Sequence, residues 1–400
     1  MTTPQRIISG MRPTGQLHLG HYHGVLKNWV KLQHEYDCFF SVVDIHALTT
    51  HYDDPEIIET NTWNMVIDWL AAGINPNSAH IYLQSRIPEI AELHLILSMI
   101  TPLGWLERIP TYKSQIDNIK EKDLHTYGFL GYPLLMSSDI MIFKSGLVPV
   151  GEDQVPHIEF AREVARRFNH LYGREPDYQQ KAEAAASKLG KKNANLYRNL
   201  YKQFQEQGSQ EALETARALV ESVQHISVSD KDRLLGYLEG GGKIILPEPE
   251  PMLTSFPVMS GLDGRKMSKS YHNTIMLSGT PDDTDKKIKK MPTDPARVRR
   301  NDPGEPEKCP VWALHKVYSN EDTKEWVQHG CRSAGIGCLD CKKPLIDAII
   351  SEQQPIRQRA NDLREDHDLV RNIINEGCEA ARDIARETIE DVKEVIGLSY

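Results

Sequence analysis

Over roughly its first 170 residues the chain alternates short β-rich apolar runs with long helical stretches. IISGM (7–11), CFFSVV at the head of 38–49, IYLQS (81–85) and LVPV (147–150) read as strands. Between them, 56–70 and 89–99 carry apolar residues at helical spacing. A chain of this kind buries its strands on both faces, because the crossover helices pack above and below them. The expected fold class is therefore α/β, built on a parallel sheet.

The remainder reads differently. From 174 to 245 the chain is helix-rich, and Leu213, Ala216, Val220 and Val223 recur on one face. Gly240-Gly241-Gly242 makes a flexible joint and PEPEP (247–251) a stiff one, so this segment reads as an insertion. GGGK is not a phosphate loop, because the Gly expected five positions before Gly242 is missing and Ile follows the Lys. Beyond about 280 the pattern is helical to the end, with Ile374, Cys378, Ala381, Ile384, Thr388, Val392 and Val395 forming one packed stripe. A length of 400 residues fits two or three domains.

No apolar run approaches the roughly 18 residues of a membrane helix, and the N-terminal segment lacks a secretory pattern. The expected address is the cytoplasm, with no membrane partner. The net charge of −9 argues against a protein that coats nucleic acid. One basic run stands out: seven Lys or Arg residues against the single acid Asp294 between Lys286 and Arg300. It is either a solvated face or a phosphate-backbone contact.

Two motifs handle phosphate. Pro13-Thr14-Gly15-Gln16-Leu17-His18-Leu19-Gly20-His21 follows the first strand and opens a helix. That turn is where backbone N–H groups meet phosphate in nucleotide-binding sheets. His18 and His21 lie three apart, on one side of a helix start, and can donate hydrogen bonds to charge developing on an α-phosphate. Alone, such a pair is as readily an exposed pair or half a metal site. The second motif, Lys266-Met267-Ser268-Lys269-Ser270, sits in the Gly-containing stretch GLDGRKMSKS and suits a pyrophosphate leaving group.

In this order the two motifs resemble the class I aminoacyl-tRNA synthetases. SGMRPTGQLHLGHYHG, GYPLLMSSDI, VPVGEDQVPHIEFAREVARRFN and KMSKS are similar to the tryptophanyl-tRNA synthetases, over about 6–172 and 246–400. The resemblance implies a doubly wound Rossmann-like parallel sheet with an all-helical C-terminal domain. It implies boundaries at 1–173 and 246–280 for the catalytic part, 174–245 for the insertion, and 281–400 for a tRNA anticodon-binding domain. It assigns catalysis to His18, His21, Lys266, Lys269 and Lys113. ATP would lie on Arg12, Pro13, Thr14, Gly20, His21, Gly151, Glu152, Asp153, Val258 and the 266–270 loop, with Mg²⁺ on its phosphates. One departure concerns the segment TYKSQ, where the family commonly carries a second lysine and this chain has Gln115. Either Lys113 takes that role or Lys266 and Lys269 carry more of it.

Tyr132, Met136 and Asp139 are spaced to face one way from a helix. Asp139 interrupts the apolar run LLMSSDIMIF, where a carboxylate is costly without a partner. It either turns to solvent, pairs with Lys144, or accepts from a ligand. An indole N–H is a pure donor and would match it. The resemblance places the indole nitrogen on Asp139, lines the pocket with Tyr132, Met136 and His46, and sets Gln154 on the amino acid. A tyrosyl enzyme is the nearest alternative, since a phenol also donates.

Cys309, Cys331, Cys338 and Cys341 are spaced C-x21-C-x6-C-x2-C. Such a set reads as metal ligation, with zinc and iron–sulfur both open on the residues alone. The resemblance implies a [4Fe-4S] cluster, with Zn²⁺ the alternative, although the first gap is one residue shorter than in that pattern. Lys342 and Lys343 follow Cys341 and are expected to face RNA. The resemblance further implies a homodimer acting on L-tryptophan, ATP and tRNA(Trp). A small-molecule adenylyltransferase and a non-catalytic iron–sulfur RNA-binding relative are the rivals from other classes.

Overall fold

A computed structural model describes residues 5–118, 123–173, 177–207, 209–238, 244–253 and 259–400. Five strands form one parallel sheet: β1 (Arg6–Met11), β2 (Asp37–Val42), β3 (Ala79–Leu83), β4 (Leu147–Val150) and β5 (Glu250–Leu253). Their order is β3-β2-β1-β4-β5, so the chain winds outward from β1 in both directions. This is the doubly wound arrangement expected, with helices around the sheet and a helical C-terminal region. β2 and β4 are buried along most of their length, as strands covered on both faces must be, and β1 is buried at Ile7 and Ile8.

The fifth strand departs from the sequence reading. PEPEP reads as a stiff connection, yet β5 begins inside it at Glu250, whose N–H bonds Gly146 O at 2.9 Å. The strand lies at the sheet edge, the one place where proline's missing donor costs no ladder bond. The Gly240–Gly242 joint lies outside the described residues.

The chain divides into two compact units. The first holds 9–86 and 253–380. In it β2 and β3 pair in register from Cys38↔Ala79 to Val42↔Leu83. Helix Glu56–Ala72 buries Met65, Val66, Trp69 and Leu70. Trp69 meets Trp29 edge-on, and Trp29 stacks on Phe40 of β2 at 4.2 Å. Helix Cys338–Glu365 is the long rod of this unit. Helix His367–Ile396 lies so close to β3 that a Cβ on Gly377 would fall 2.0 Å from Ile81 O.

The second unit holds 5–8, 87–252 and 381–400. Helices Pro88–Ser98, Tyr127–Met141 and Val155–Tyr172 make its centre. Its segment 178–238 has four helices, Tyr178–Lys188, Lys191–Gln207, Gln210–Ser222 and Val228–Leu238. They enclose an apolar core of their own, in which Leu213, Ala216, Val220 and Val223 meet Tyr197 and Leu234. The helical stripe read from the sequence is the face that closes this core. In the last helix the stripe is slightly rotated: Ile374, Cys378, Ala381, Ala385, Thr388, Ile389 and Val392 are buried, while Ile384 and Val395 are half-exposed. No helix among the described residues is long and apolar enough to cross a membrane.

Candidate active site

In the first unit the turn after β1 carries the histidines. Thr14 N–H bonds Arg12 O at 2.8 Å, and Gly15 follows at φ +125°, a conformation that favours glycine. Lys269 Nζ donates to Gly15 O at 2.7 Å, and any Cβ at Gly15 would stand 3.3 Å from that amine. The glycine therefore lets the second motif's lysine close on the first motif's backbone. Pro13 is buried and Arg12 exposed.

The His18 and His21 ring centroids lie 3.8 Å apart with their planes tilted by 32°, and His21 Nδ1 accepts from His18 N–H at 3.3 Å. Gly20 makes room for the His18 ring, which a Cβ would approach to 2.9 Å. Among the described residues His18 Nδ1 has no hydrogen-bond partner, although it is buried. Burial, then the Lys269 charge, lowers the His18 pKa to about 4. Burial, then His18 and Lys269, holds His21 well below its usual range. Both rings are thus neutral near pH 7, each with one N–H to donate. Lys269 is itself lowered to about 8 by burial and by Arg12, with Asp68 opposing.

The stretch after the second motif is stitched to the first. Leu19 N–H bonds Ile275 O at 3.0 Å, His18 bridges Met276, and Leu277 N–H bonds Leu17 O at 3.0 Å. The motif loop itself closes through Met267 N–H to Met259 O at 2.9 Å. Its hub is Asn273, which the sequence reading missed. Asn273 Oδ1 accepts from Ser268 N–H at 2.8 Å, and its Nδ2 donates to Asp263 at 2.7 Å and Lys266 O at 3.1 Å. Met267 is buried, and the two lysines are not equivalent: Lys269 is drawn to Gly15 and Lys266 is exposed. Val258 and the Ser270 side chain lie outside the described residues.

Asp68 was also missed. It is buried, with Arg364 at 3.8 Å, and burial raises its pKa to about 6 against Arg364, Ser278 and the Leu17 N–H. Its signal was a lone carboxylate inside the apolar run MVIDWLAA. His46 lies on helix Asp44–His51, buried, with its ring 2.9 Å from the side-chain amide of Gln84.

In the second unit Tyr132, Met136 and Asp139 share helix Tyr127–Met141, which Thr126 caps by accepting from Phe129 N–H. Tyr132 and Met136 are half-buried, and Asp139 is 6% exposed. Asp139 therefore does not face solvent, and Lys144 donates to Asp391 at 2.5 Å. Tyr132 OH lies 2.8 Å from Thr111, whose hydroxyl is 2.7 Å from His157 Nε2. Thr111 and His157 went unassigned in the sequence, although both stand in stretches that carry the resemblance. Burial lowers the His157 pKa. The turn Glu152–Gln154 follows β4, with Gly151, Glu152 and Asp153 exposed and Gln154 Nε2 donating to Asp153 at 3.1 Å. Lys113 is exposed, and the Gln115 side chain lies outside the described residues.

The four cysteines cap and end helices of the first unit. Cys309 precedes helix Pro310–Tyr318, Cys331 ends Glu321–Arg332, and Cys338 and Cys341 form the first turn of Cys338–Glu365. Burial, then the charges of Cys309, Cys331 and Cys338, pushes the Cys341 thiol up to about 12. His315 Nε2 stands 3.4 Å from Cys341 Sγ, and Arg297 is 3.9 Å from Cys331 Sγ. Among the described residues no three His, Cys, Asp or Glu side chains are grouped to hold a metal ion.

Two basic assignments change. Lys342 does not face outward: it is 3% exposed and caps the end of helix Pro281–Lys290 by donating to Lys289 O and Met291 O. Lys343 remains exposed. In the basic run, Lys286, Lys287 and Lys289 pair with Asp282, Asp283 and Asp285 one turn earlier, and Arg297 is buried against Ile336 O. With Arg300 3.9 Å from Asp340, five of its seven cations are engaged, and Lys286, Lys287 and Lys289 lie as a solvated helix face would have them.

The family of tRNA synthetases class I (W and Y) matches residues 1–189 and 200–352. A tryptophan–tRNA ligase of Ralstonia nicotianae is 63% identical across 99% of both chains. One of Thermotoga maritima is 41% identical across 99% of this chain and all of its own. A crystal structure of tryptophanyl-tRNA synthetase from Campylobacter jejuni, complexed with ADP and tryptophan, superposes with TM-score 0.75. That protein is 27% identical, and the match spans 98% of this chain and all of the other.

Proposed function

Because this chain belongs to the class I tRNA synthetases of the tryptophan and tyrosine type, we propose how its residues divide that family's chemistry. Its activity is that of a tryptophan–tRNA ligase, with tryptophan, ATP and tRNA(Trp) as substrates. The tryptophan carboxylate oxygen bonds to the α-phosphorus of ATP, and the bond from that phosphorus to the bridging oxygen breaks, releasing pyrophosphate. A ribose hydroxyl at the tRNA 3′ end then attacks the carbonyl of the adenylate, and AMP leaves.

Charge grows on the phosphate oxygens in the first step, so donors already aimed at them lower the barrier. His18 and His21 supply neutral N–H donors. Lys269 supplies a positive charge, and exposed Lys266 joins it when pyrophosphate forms. Mg²⁺ bound with ATP would neutralise charge on the phosphates, and Lys113 is the remaining cation for the leaving group. The adenosine lies on Arg12, Pro13, Thr14, Gly20 and the Gly151–Asp153 turn, and the 266–270 loop covers the phosphates. Asp139 accepts from the indole N–H, Tyr132 and Met136 flank the ring, and Gln154 and His46 complete the pocket. The observation that carries this reading is the close, neutral histidine pair with Lys269 bonded to the loop beneath it.

Three finer readings complete the proposal. The catalytic part comprises 1–173 and 246–280, the insertion 174–245, and the anticodon-contacting part 281–400; the separate apolar core of 178–238 supports the second of these. The four cysteines hold a [4Fe-4S] cluster of structural role. The charges of Cys309, Cys331 and Cys338 act on the Cys341 thiol, which supports a shared site. Lastly, the chain works as a homodimer in the cytoplasm. Leu95, Met99 and Leu103, which are 56%, 74% and 62% exposed, supply apolar surface for such an interface.

ATP–pyrophosphate exchange with each amino acid in turn tests the assignment. Exchange with tryptophan alone is expected. Exchange with tyrosine alone would overturn the role of Asp139. For the cluster, anaerobic purification should yield a brown protein with about four irons per chain; zinc with no visible absorbance would overturn it.

A further inference from the structure

The histidine pair stands at the head of a helical run whose second turn is abnormal. Leu19–His21 is α-helical, Tyr22–Leu26 is a π-turn, and Lys27–Leu32 returns to α. Such turns are rare and are frequently found at functional sites. This one is gripped from the side. His23, 8% exposed, projects from the π-turn, with Nε2 2.9 Å from both Tyr318 OH and Glu352 Oε2. Tyr318 OH donates to the same carboxylate at 2.8 Å. One turn on, Lys27 Nζ donates to Glu352 Oε1 at 2.7 Å. A single carboxylate therefore ties the π-turn to the α-turn after it. Burial alone would raise the Glu352 pKa, but the His23 and Lys27 side chains hold its carboxyl down at about 2, so it is ionised throughout the working range.

The next residue on the same helix acts on the other side of the pair. Gln353 is fully buried, and its Nε2 donates to Met276 O at 2.7 Å. Met276 is the residue bridged to His18. Two consecutive side chains of helix Cys338–Glu365 thus fix what lies behind His21 and what lies beside His18. A π-turn holds one residue more than an α-turn. Were it to relax, His21 would rotate relative to the 27–32 helix by on the order of 100°, one residue's share of a turn.

We infer that Glu352 is a positioning residue for adenylate formation: by binding His23, Lys27 and Tyr318 it holds the π-turn and so fixes the direction in which His21 presents its imidazole. The inference rests on the assignment of His18 and His21 to the ATP phosphates. It adds a group that touches no substrate and was not marked by either sequence motif.

The test uses the full chain, Glu352→Gln and Tyr318→Phe. Glu352→Gln should lower kcat for ATP–pyrophosphate exchange about tenfold or more, as loss of a charged hydrogen-bond acceptor implies, with the KM for tryptophan within about twofold. Backbone amide exchange should accelerate over 22–27 and not along the rest of the 338–365 helix. Tyr318→Phe should lower kcat in the same direction, by about threefold. Parental kcat in both variants would overturn the inference, as would a KM for tryptophan that rises as much as kcat falls. If Glu352→Gln misfolds, Tyr318→Phe decides alone, with unchanged kcat counting against. If the parent chain itself supports no exchange, the functional assignment has failed and not this one. Faster amide exchange confined to 22–27 in Glu352→Gln then still supports the holding role, and unaltered protection there overturns it.

Discussion

Replacing Asn273 by Ala should unhook the phosphate loop while leaving the fold standing. The side chain is 2% exposed and makes three hydrogen bonds, to Ser268 N–H, the Asp263 carboxylate and Lys266 O. A neutral bond contributes about 1 kcal/mol net and a charged one about 2, so the raw loss is about 4 kcal/mol. Asp263 is partly solvated and water replaces some of what is removed, so about half that loss should be felt. At about 1.4 kcal/mol per decade, that is a 10- to 100-fold fall in kcat for ATP–pyrophosphate exchange, if the loop must be ordered in the transition state. The KM for tryptophan should hold, since no tryptophan contact is assigned to this loop. Gly261→Ala gives an independent version of the same perturbation. Its Cβ would stand 2.3 Å from the Asn273 amide and 2.8 Å from the Asn273 carbonyl, so the hub must shift. Steady-state exchange assays on both variants, with Tm as the folding control, decide the matter. A kcat within twofold of the parent at unchanged Tm would refute the claim that Asn273 holds the loop.

Lys269, lowered to about 8, loses its charge as pH rises, so kcat/KM for ATP should fall on an alkaline limb near pH 8. Lys269→Arg should carry that limb upward, and an unmoved limb would assign it elsewhere. The same shift favours the fold in the opposite sense: between about 8 and 10.5 the unfolded chain binds the proton that the native chain lacks, so this group's contribution to stability rises with pH. Asp68, raised to about 6 from 3.8, binds its proton in the native state over that window. The unfolding free energy of the parent relative to Asp68→Asn should therefore decrease from pH 4 to 6, and a flat difference in urea titrations would remove the buried-acid argument. Asp139→Asn should raise the KM for tryptophan about tenfold or more while sparing that for ATP; an unchanged tryptophan KM would take the indole off this residue.

Much of the fold was legible because its strands are continuous apolar runs and its motifs sit at the strand ends, where local pattern and tertiary position agree. The 178–238 segment announced its core face through Leu213, Ala216, Val220 and Val223 for the same reason. What escaped was set by distance. Asn273 reads as an ordinary turn residue until the chain brings Ser268, Asp263 and Lys266 around it. Glu352 looks like one more acid in a polar stretch, and only packing against 23 and 318 gives it three partners. Lys342 failed in the other direction: its place after Cys341 suggested an outward charge, but helix Pro281–Lys290 ends against it and its carbonyls claim the ammonium. β5 escaped because proline argues against a strand everywhere except at an edge.

That edge has a consequence for the addition of a further strand. Pro249 and Pro251 deprive the β5 end of donors that a sixth strand would need. At the opposite end, the backbone of the last helix lies on Ile81 of β3, and a joining strand would have to displace it. One margin is blunted chemically and the other sterically, so the sheet is closed to growth by strand addition. Strand addition, which would template the cross-strand pairing that leads to aggregates, is opposed at both described margins.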